Sequence, residues 1–140
     1  MPRAEVNSGH SVYTSSMLVA LCTLLTLTAC GTAPTTAARP ASFHQVVEGK
    51  YRISEQPRMV DCVFDGFLGS QNMAVSTHVR QTKRANGYRI DVIAGPFQYV
   101  VADVRDDATF TVVRSDAAAL VSLSKEEESS RACLRLFEAR

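Results

Sequence analysis

The sequence predicts a small α+β domain in the order helix, four strands, helix, with the strands in an antiparallel meander and both helices packed on one face of the sheet. Apolar residues recur with the 3.6-residue period of a helix between Ser54 and Gly69, and again after Ser124. Between residues 74 and 114 the period changes to two, as strands require. Turn signals divide that stretch into four short strands.

The first predicted helix begins at Ser54, a residue type that often caps helix N-termini. Pro57 falls in the first turn, where its missing N–H costs least. Gly69 is expected to close the helix in the left-handed conformation. The preceding residues 42–48 fit either a short helix or an irregular lead-in. The apolar stripe of the helix is expected to comprise Met59, Val60, Val63, Phe64 and Phe67, with Cys62 beside it.

The four strands are separated by three turn signals. Asn86-Gly87 is a strong hairpin signal, Gly95-Pro96 marks a second turn, and the Asp-rich residues 105–107 mark a third. Consecutive hairpins produce an antiparallel meander. The alternating apolar positions are Val75, Thr77 and Val79, then Tyr88, Ile90 and Val92, then Tyr99 and Val101, then Phe110 and Val112.

The last predicted helix starts at a capping box formed by Ser124 and Glu127. Glutamates at residues 126–128 lie near its positive end and arginines lie toward its negative end, so the charges complement the helix dipole. Its apolar stripe is expected to comprise Ala132, Cys133, Leu136 and Phe137.

Residues 17–29 form an unbroken run of apolar residues and threonine. A helix needs roughly 20 residues to cross a bilayer, whereas the apolar stretch of an export signal has roughly 7 to 15. The run ends in Leu27-Thr28-Ala29-Cys30, which resembles the lipobox of bacterial lipoproteins. That resemblance implies that residues 1–29 are a signal peptide and that Cys30 is the lipidated first residue of the mature chain. The alternative is a buried helix that ends at a core cysteine.

The same resemblance implies that the protein is located in the cell envelope. A diacylglyceryl group on Cys30, with a further acyl chain such as palmitate, would anchor the chain to a membrane, because stable anchoring takes two or more chains. In lipoproteins of Gram-negative bacteria an Asp after the cysteine tends to retain the protein at the inner membrane. Gly31 stands there instead, which favours the outer membrane, facing the periplasm.

Residues 30–41 are small and polar with two prolines, and are expected to form a flexible tether to a domain at residues 42–140. The segment before Met17 is long for a signal peptide, so the start is open between Met1 and Met17.

Two cysteines, Cys62 and Cys133, remain once the leader and Cys30 are set aside, one on each predicted helix. Exported domains retain disulfides, so a structural bridge between them is expected. Two free buried thiols, a redox pair or metal ligation are the alternatives. The C-x-x-C spacing of a redox pair and the clustered ligands of a zinc site are missing from the sequence.

The sequence contains no recognised catalytic motif, and it suggests no metal, cofactor or enzymatic activity. The net charge of +1 gives no reason to expect nucleic-acid binding. The one local charge anomaly is a basic hairpin, which could contact lipid phosphates, peptidoglycan or an acidic partner, or could be an ordinary solvated turn. Its candidate interaction residues are Arg80, Lys83, Arg84 and Arg89.

From about Arg58 to Leu134 the chain resembles a broad set of small proteobacterial lipoproteins to which no activity is assigned. The shared features are the lipobox, the helix cysteine Cys62, Gly87-Tyr88 at a hairpin and a final Ala-Cys-Leu around Cys133. The resemblance supports the bridge and the order of elements. With no catalytic motif, the sequence favours a non-catalytic, lipid-anchored envelope protein that binds a protein or cell-wall partner through the exposed sheet face or the basic hairpin. The alternative is a periplasmic enzyme or an enzyme inhibitor, such as the lipid-anchored lysozyme inhibitors, although those resemble closed β-barrels.

Overall fold

The computed structural model describes residues 35–71, 76–121 and 124–139. The predicted signal peptide and Cys30 lie outside the described residues, as do Ala74 and Val75 at the predicted start of the first meander strand. Within the described ranges the strands are β1 (Phe43–Lys50), β2 (His78–Arg84), β3 (Gly87–Ala94), β4 (Phe97–Arg105) and β5 (Thr109–Ser115), and the α-helices are α1 (Gln56–Gly69) and α2 (Lys125–Phe137). Short 3₁₀ turns cover Pro40–Ser42, Ile53–Glu55 and Asp116–Val121.

The α+β class and the antiparallel meander are confirmed, but the sheet has five strands rather than four. Its order is β1-β5-β4-β3-β2, and all neighbouring strands are antiparallel. The additional strand is β1, in the stretch expected to be a short helix or an irregular lead-in. A bulge between Gln45 and Val47 interrupts the two-residue alternation of β1. The apolar residues Val46 and Val47 therefore follow each other directly, and the sequence does not show the period of a strand.

Strands β1 and β2 lie at opposite edges of the sheet, so the chain between them crosses it. Helix α1 lies in that crossing, and α2 packs beside it. The core lies between this helix layer and one sheet face. It includes Met59, Val60, Val63 and Phe67 from α1, Cys133 and Phe137 from α2, and Ile90, Val92, Val100, Ala102, Val104, Phe110 and Val112 from the strands.

Two expected packing details are wrong. On β4 the core residues are Val100, Ala102 and Val104, so Val101, although buried, points to the other face. A bulge at Val92/Ile93 shifts the register there. Leu136, placed in the apolar stripe of the last helix, is 64% exposed, because it lies outside the buried stripe of α2. That stripe comprises Glu126, Ser130, Cys133 and Phe137.

The helix ends also differ from expectation. Ser54 lies in a 3₁₀ turn and Glu55 is the N-cap of α1. Gly69 is the last residue of α1 and does not adopt a positive φ; Ser70 caps the helix, and its backbone N–H bonds to the carbonyl of Phe67. Ser124 is the N-cap of α2, but its hydroxyl makes no capping bond. Glu127, the other residue of the predicted capping box, pairs with Arg131 at 2.8 Å.

The predicted disulfide between Cys62 and Cys133 is confirmed. It joins α1 to α2 across a sequence separation of 71 residues, with the Cα atoms 5.9 Å apart. Cys133 is buried and Cys62 packs against the core. The bridge therefore links two helices that pack against each other although one lies near the start and the other near the end of the domain's sequence.

Candidate binding surface

The helices cover one face of the sheet, and the opposite face, which we call the outer face, is built from the alternate residues of the strands. On β4, Ala102 and Val104 belong to the core. Side chains alternate along a strand, so Asp103 and Arg105 point to the outer face. Directly paired residues share a face, which extends the outer face over three cross-strand rows. These are Arg84, Gly87 and Arg105; Thr82, Arg89, Asp103 and Thr111; and Arg80, Asp91, Val101 and Val113.

Asp91 is a fully buried carboxylate at the centre of this surface. Arg80 donates to its Oδ2 from Nη2 at 2.7 Å, and Gln98 donates to its Oδ1 from Nε2 at 2.9 Å. The Oε1 of Gln98 in turn accepts the backbone N–H of Thr36 at 2.8 Å. An unpaired buried carboxylate would be costly, and these contacts compensate the burial.

Arg89 forms the second fixed pair on the outer face. Its guanidinium meets Asp103 in a two-point contact, with Nε to Oδ1 and Nη2 to Oδ2 both at 2.8 Å. Its remaining Nη1 donates to the hydroxyl of Thr36 at 3.2 Å. The hydrogen bond to Asp103 raises the pKa of Arg89, against the opposing effect of burial. Arg89 is therefore held in a single charged, oriented state.

The same contacts hold residues 35–41, the end of the predicted tether, against the outer face. Thr36 bonds to Gln98 and Arg89, and a turn forms as the N–H groups of Ala38 and Arg39 bond to Thr35. These small polar residues bury little apolar surface, but their N–H and hydroxyl groups fit a polar sheet face. The contacts of the folded domain thus begin before residue 42, and residues 30–34 lie outside the described part of the chain.

A shallow groove of about 190 Å³ lies at the end of the β2–β3 hairpin, and we call it the arginine groove. The groove is positively charged, and its charge comes from Arg84, Arg89 and Arg105. Arg89 is paired with Asp103, whereas neither Arg84 nor Arg105 has an ion-pair partner within 4.0 Å among the described residues. The groove is lined by Arg84, Asn86, Tyr88, Arg89, Asp103 and Arg105.

Gly87 lies between the two unpaired arginines, opposite Arg84 on one side and Arg105 on the other. Its φ is +140°, and a Cβ there would lie 2.2 Å from the carbonyl oxygen of Val104. Only glycine fits this position. The hairpin geometry that brings Arg84 and Arg105 to one groove therefore depends on residue 87 having no side chain.

The four predicted interaction residues lie in three different environments. Arg84 and Arg89 share the arginine groove, while Arg80 lies on the same face but is engaged with Asp91. Lys83 is on the opposite side of β2, with its Nζ 4.0 Å from the centroid of the Tyr88 ring. Sequence reasoning missed Arg105, because it is 16 residues or more from the others and reaches them only through the register of β3 with β4.

A second groove of about 270 Å³ adjoins the first and shares Arg89, Asp103 and Arg105 with it. It runs across the outer face toward β1, with Thr36 and Pro40 along one side. The outer face thus presents a continuous concave surface whose charged residues come mainly from β2, β3 and β4.

The histidines and the turn aspartates singled out in the sequence are not among the residues that line these two grooves. His78 is exposed at the start of β2, and His44 bonds to Asp116 at 2.6 Å. Asp106 accepts a hydrogen bond from Gln56, and Asp107 from the backbone N–H of Thr109, which lowers the pKa of Asp107. Across the described ranges, no three His, Cys, Asp or Glu side chains come together as a metal site would require.

None of the helices in the described residues combines the length and apolarity needed to span a membrane. Comparison with protein-family models, with curated proteins and with solved structures gives no match for this chain.

Proposed function

We propose that this protein is a lipid-anchored, non-catalytic component of the bacterial cell envelope that binds a partner with the outer face of its sheet. The address rests on the Leu27-Thr28-Ala29-Cys30 segment and the apolar run before it. The lipid on Cys30 would hold the chain at the membrane, on the periplasmic side of the outer membrane. The partner is an envelope protein or peptidoglycan.

The observation that supports partner binding is the contrast between the two faces of the sheet. One face is covered by α1 and α2, whereas the outer face is covered only in part, by residues 35–42. Two of its arginines are held in place by carboxylates, Arg80 by Asp91 and Arg89 by Asp103. A rigid, charged and concave face costs little conformational entropy when a partner binds, which is the benefit of preorganisation.

The address is tested by labelling cells with an alkyne analogue of palmitate and measuring its incorporation into the purified chain. We expect label in the wild type and in the Cys22→Ala variant, and no label in Cys30→Ala. Cys22 is the matched control because it lies in the same apolar run. Label that survives in Cys30→Ala would overturn the proposed anchor.

Partner binding is tested separately with a photo-crosslinking amino acid placed in the full-length chain in living cells. Gln45 is an exposed position on the outer face, and Asp65 is an exposed position on α1 in the helix layer. We expect a discrete crosslinked product from position 45 and none from position 65. Equal products from both positions, or a product from position 65 alone, would contradict a partner on the outer face.

A further inference from the structure

We propose that the arginine groove is a binding site for a phosphate group. The inference builds on the proposed function, since it names the chemistry that the outer face recognises. It rests on the position of Arg84 and Arg105, whose side chains are exposed and unpaired among the described residues while lining one groove. Like charges brought to one place repel each other, so an anion that lies between them is stabilised by both.

The residues that line the groove carry a surplus of positive charge that can stabilise an anion. The lining residues are three arginines and one aspartate, and Asp103 neutralises Arg89. The two other guanidinium groups remain. Asp106 and Asp107 lie in the adjacent turn beside Arg105 and keep their negative charges, because Gln56 and the Thr109 amide that bond to them are neutral. Neither aspartate forms an ion pair with Arg105 within 4.0 Å or lines the arginine groove itself.

The donors suit phosphate better than carboxylate. A carboxylate has two oxygens, which a single guanidinium fork can satisfy. A phosphate group offers more acceptor oxygens, so it can use two forks and a further donor together. The groove supplies Arg84 from β2, Arg105 from β4 on the far side of β3, and Asn86 from the turn between β2 and β3.

The size of the groove also favours a small group. Its volume of about 190 Å³ is below the roughly 300 to 1,000 Å³ of pockets that hold drug-sized ligands. It is open at the surface of a hairpin, so a phosphate carried on a larger molecule could enter while the rest of that molecule stays outside.

Two sources of phosphate fit the proposed address, a lipid headgroup and a free phosphate or phosphomonoester. Thr36, bonded to Arg89 of the groove, is six residues after Cys30. Six extended residues span at most roughly 20 Å. Acylation of Cys30 would therefore limit how far Thr36 can lie from the headgroup layer, which is the reason to test a phospholipid beside inorganic phosphate.

The test is an NMR titration of the full-length chain in a non-ionic detergent at constant ionic strength, following the amides of Asn86 and Gly87. Inorganic phosphate is expected to cause saturable shifts that acetate does not cause. Arg84→Gln and Arg105→Gln should each weaken phosphate binding roughly tenfold. Arg135→Gln is the matched control, because Arg135 is an exposed arginine of α2 in the helix layer, and it should bind like the wild type.

Equal shifts with acetate, or full phosphate affinity in both groove variants, would overturn the phosphate site. The chemical-denaturation midpoint of each variant shows that loss of binding is not loss of folding. Glycerophosphoglycerol, the water-soluble headgroup of phosphatidylglycerol, identifies the source: binding at least as tight as that of inorganic phosphate assigns the site to headgroups, and weaker binding assigns it to free phosphate or a phosphomonoester. Because the titration does not depend on acylation, failure of the site and failure of the lipid anchor are distinguishable.

Discussion

The two faces of the sheet are stabilised by different interactions, although each strand contributes side chains to both. On β4, Val104 faces the helices and is fully buried, while its neighbour Asp103 faces outward and pairs with Arg89. The helix-covered face is stabilised by apolar burial and by the disulfide. The outer face is stabilised by ion pairs and hydrogen bonds that tie the strands and residues 35–41 together. The difference concentrates apolar burial on one face and leaves the other polar and partly uncovered.

The largest expected effect is on the helix side, from removing the disulfide. In the chain-entropy account, a bridge that closes a loop of 71 residues contributes about 4 kcal/mol, so Cys62→Ser with Cys133→Ser should lower the free energy of unfolding by up to that amount. Urea unfolding of the double variant and the wild type measures it. As a chemical check, alkylation without reduction should leave both residues unlabelled, and two labels on them would contradict the bridge.

A middle-sized effect is expected on the outer face, from Asp91→Ala. The change leaves the buried Gln98 without its acceptor and Arg80 without its partner, which should cost about 1 to 3 kcal/mol. Urea unfolding gives that figure. Hydrogen exchange at the Thr36 amide should also become faster. This amide donates to the Oε1 of Gln98, whose side chain is held in place by its bond to Asp91.

Asp65→Ala is the control for that experiment, because Asp65 is exposed on α1 and its removal should change the free energy of unfolding by less than about 0.5 kcal/mol. A similar small change for Asp91→Ala, with Thr36 exchange unaltered, would mean that the outer-face network does not stabilise the fold.

Glu126 is the exception in the helix layer, a fully buried carboxylate with no hydrogen-bond partner for either oxygen among the described residues. Burial raises its pKa, partly offset by the backbone at the start of α2 and by Lys125. The folded state therefore keeps the proton at pH values where the unfolded chain, with a pKa near 4.5, has lost it. Its contribution to stability is complete below about pH 4.5 and is lost as pH rises through the raised folded pKa.

Glu126→Gln should consequently match the wild type at pH 4 and be more stable at pH 8, by on the order of 1 kcal/mol. Thermal or urea unfolding across this pH range measures the difference. Glu128→Gln, on the exposed side of the same turn, should leave the pH profile unchanged. If both variants give the wild-type profile, Glu126 does not titrate as its burial implies.

The sequence alone predicted four strands, both helices and the disulfide, because local patterns encode them. The two-residue period and Asn86-Gly87 define the hairpin of β2 and β3. Cys62 and Cys133 were the one cysteine pair left once the expected signal peptide and Cys30 were set aside. These signals depend on residues that are close in sequence or few in number, so they need no knowledge of the three-dimensional arrangement.

Only the tertiary structure determined which residues that are far apart in the sequence come into contact. Strand β1 is defined by its pairing with β5, about 65 residues away, and its bulge hides the period that would reveal it. The arginine groove likewise needs the register of β3 with β4, which brings Arg105 beside Gly87 and Arg84. Register depends on the packing of a whole sheet face, and a shift of one residue would turn Arg105 toward the helices.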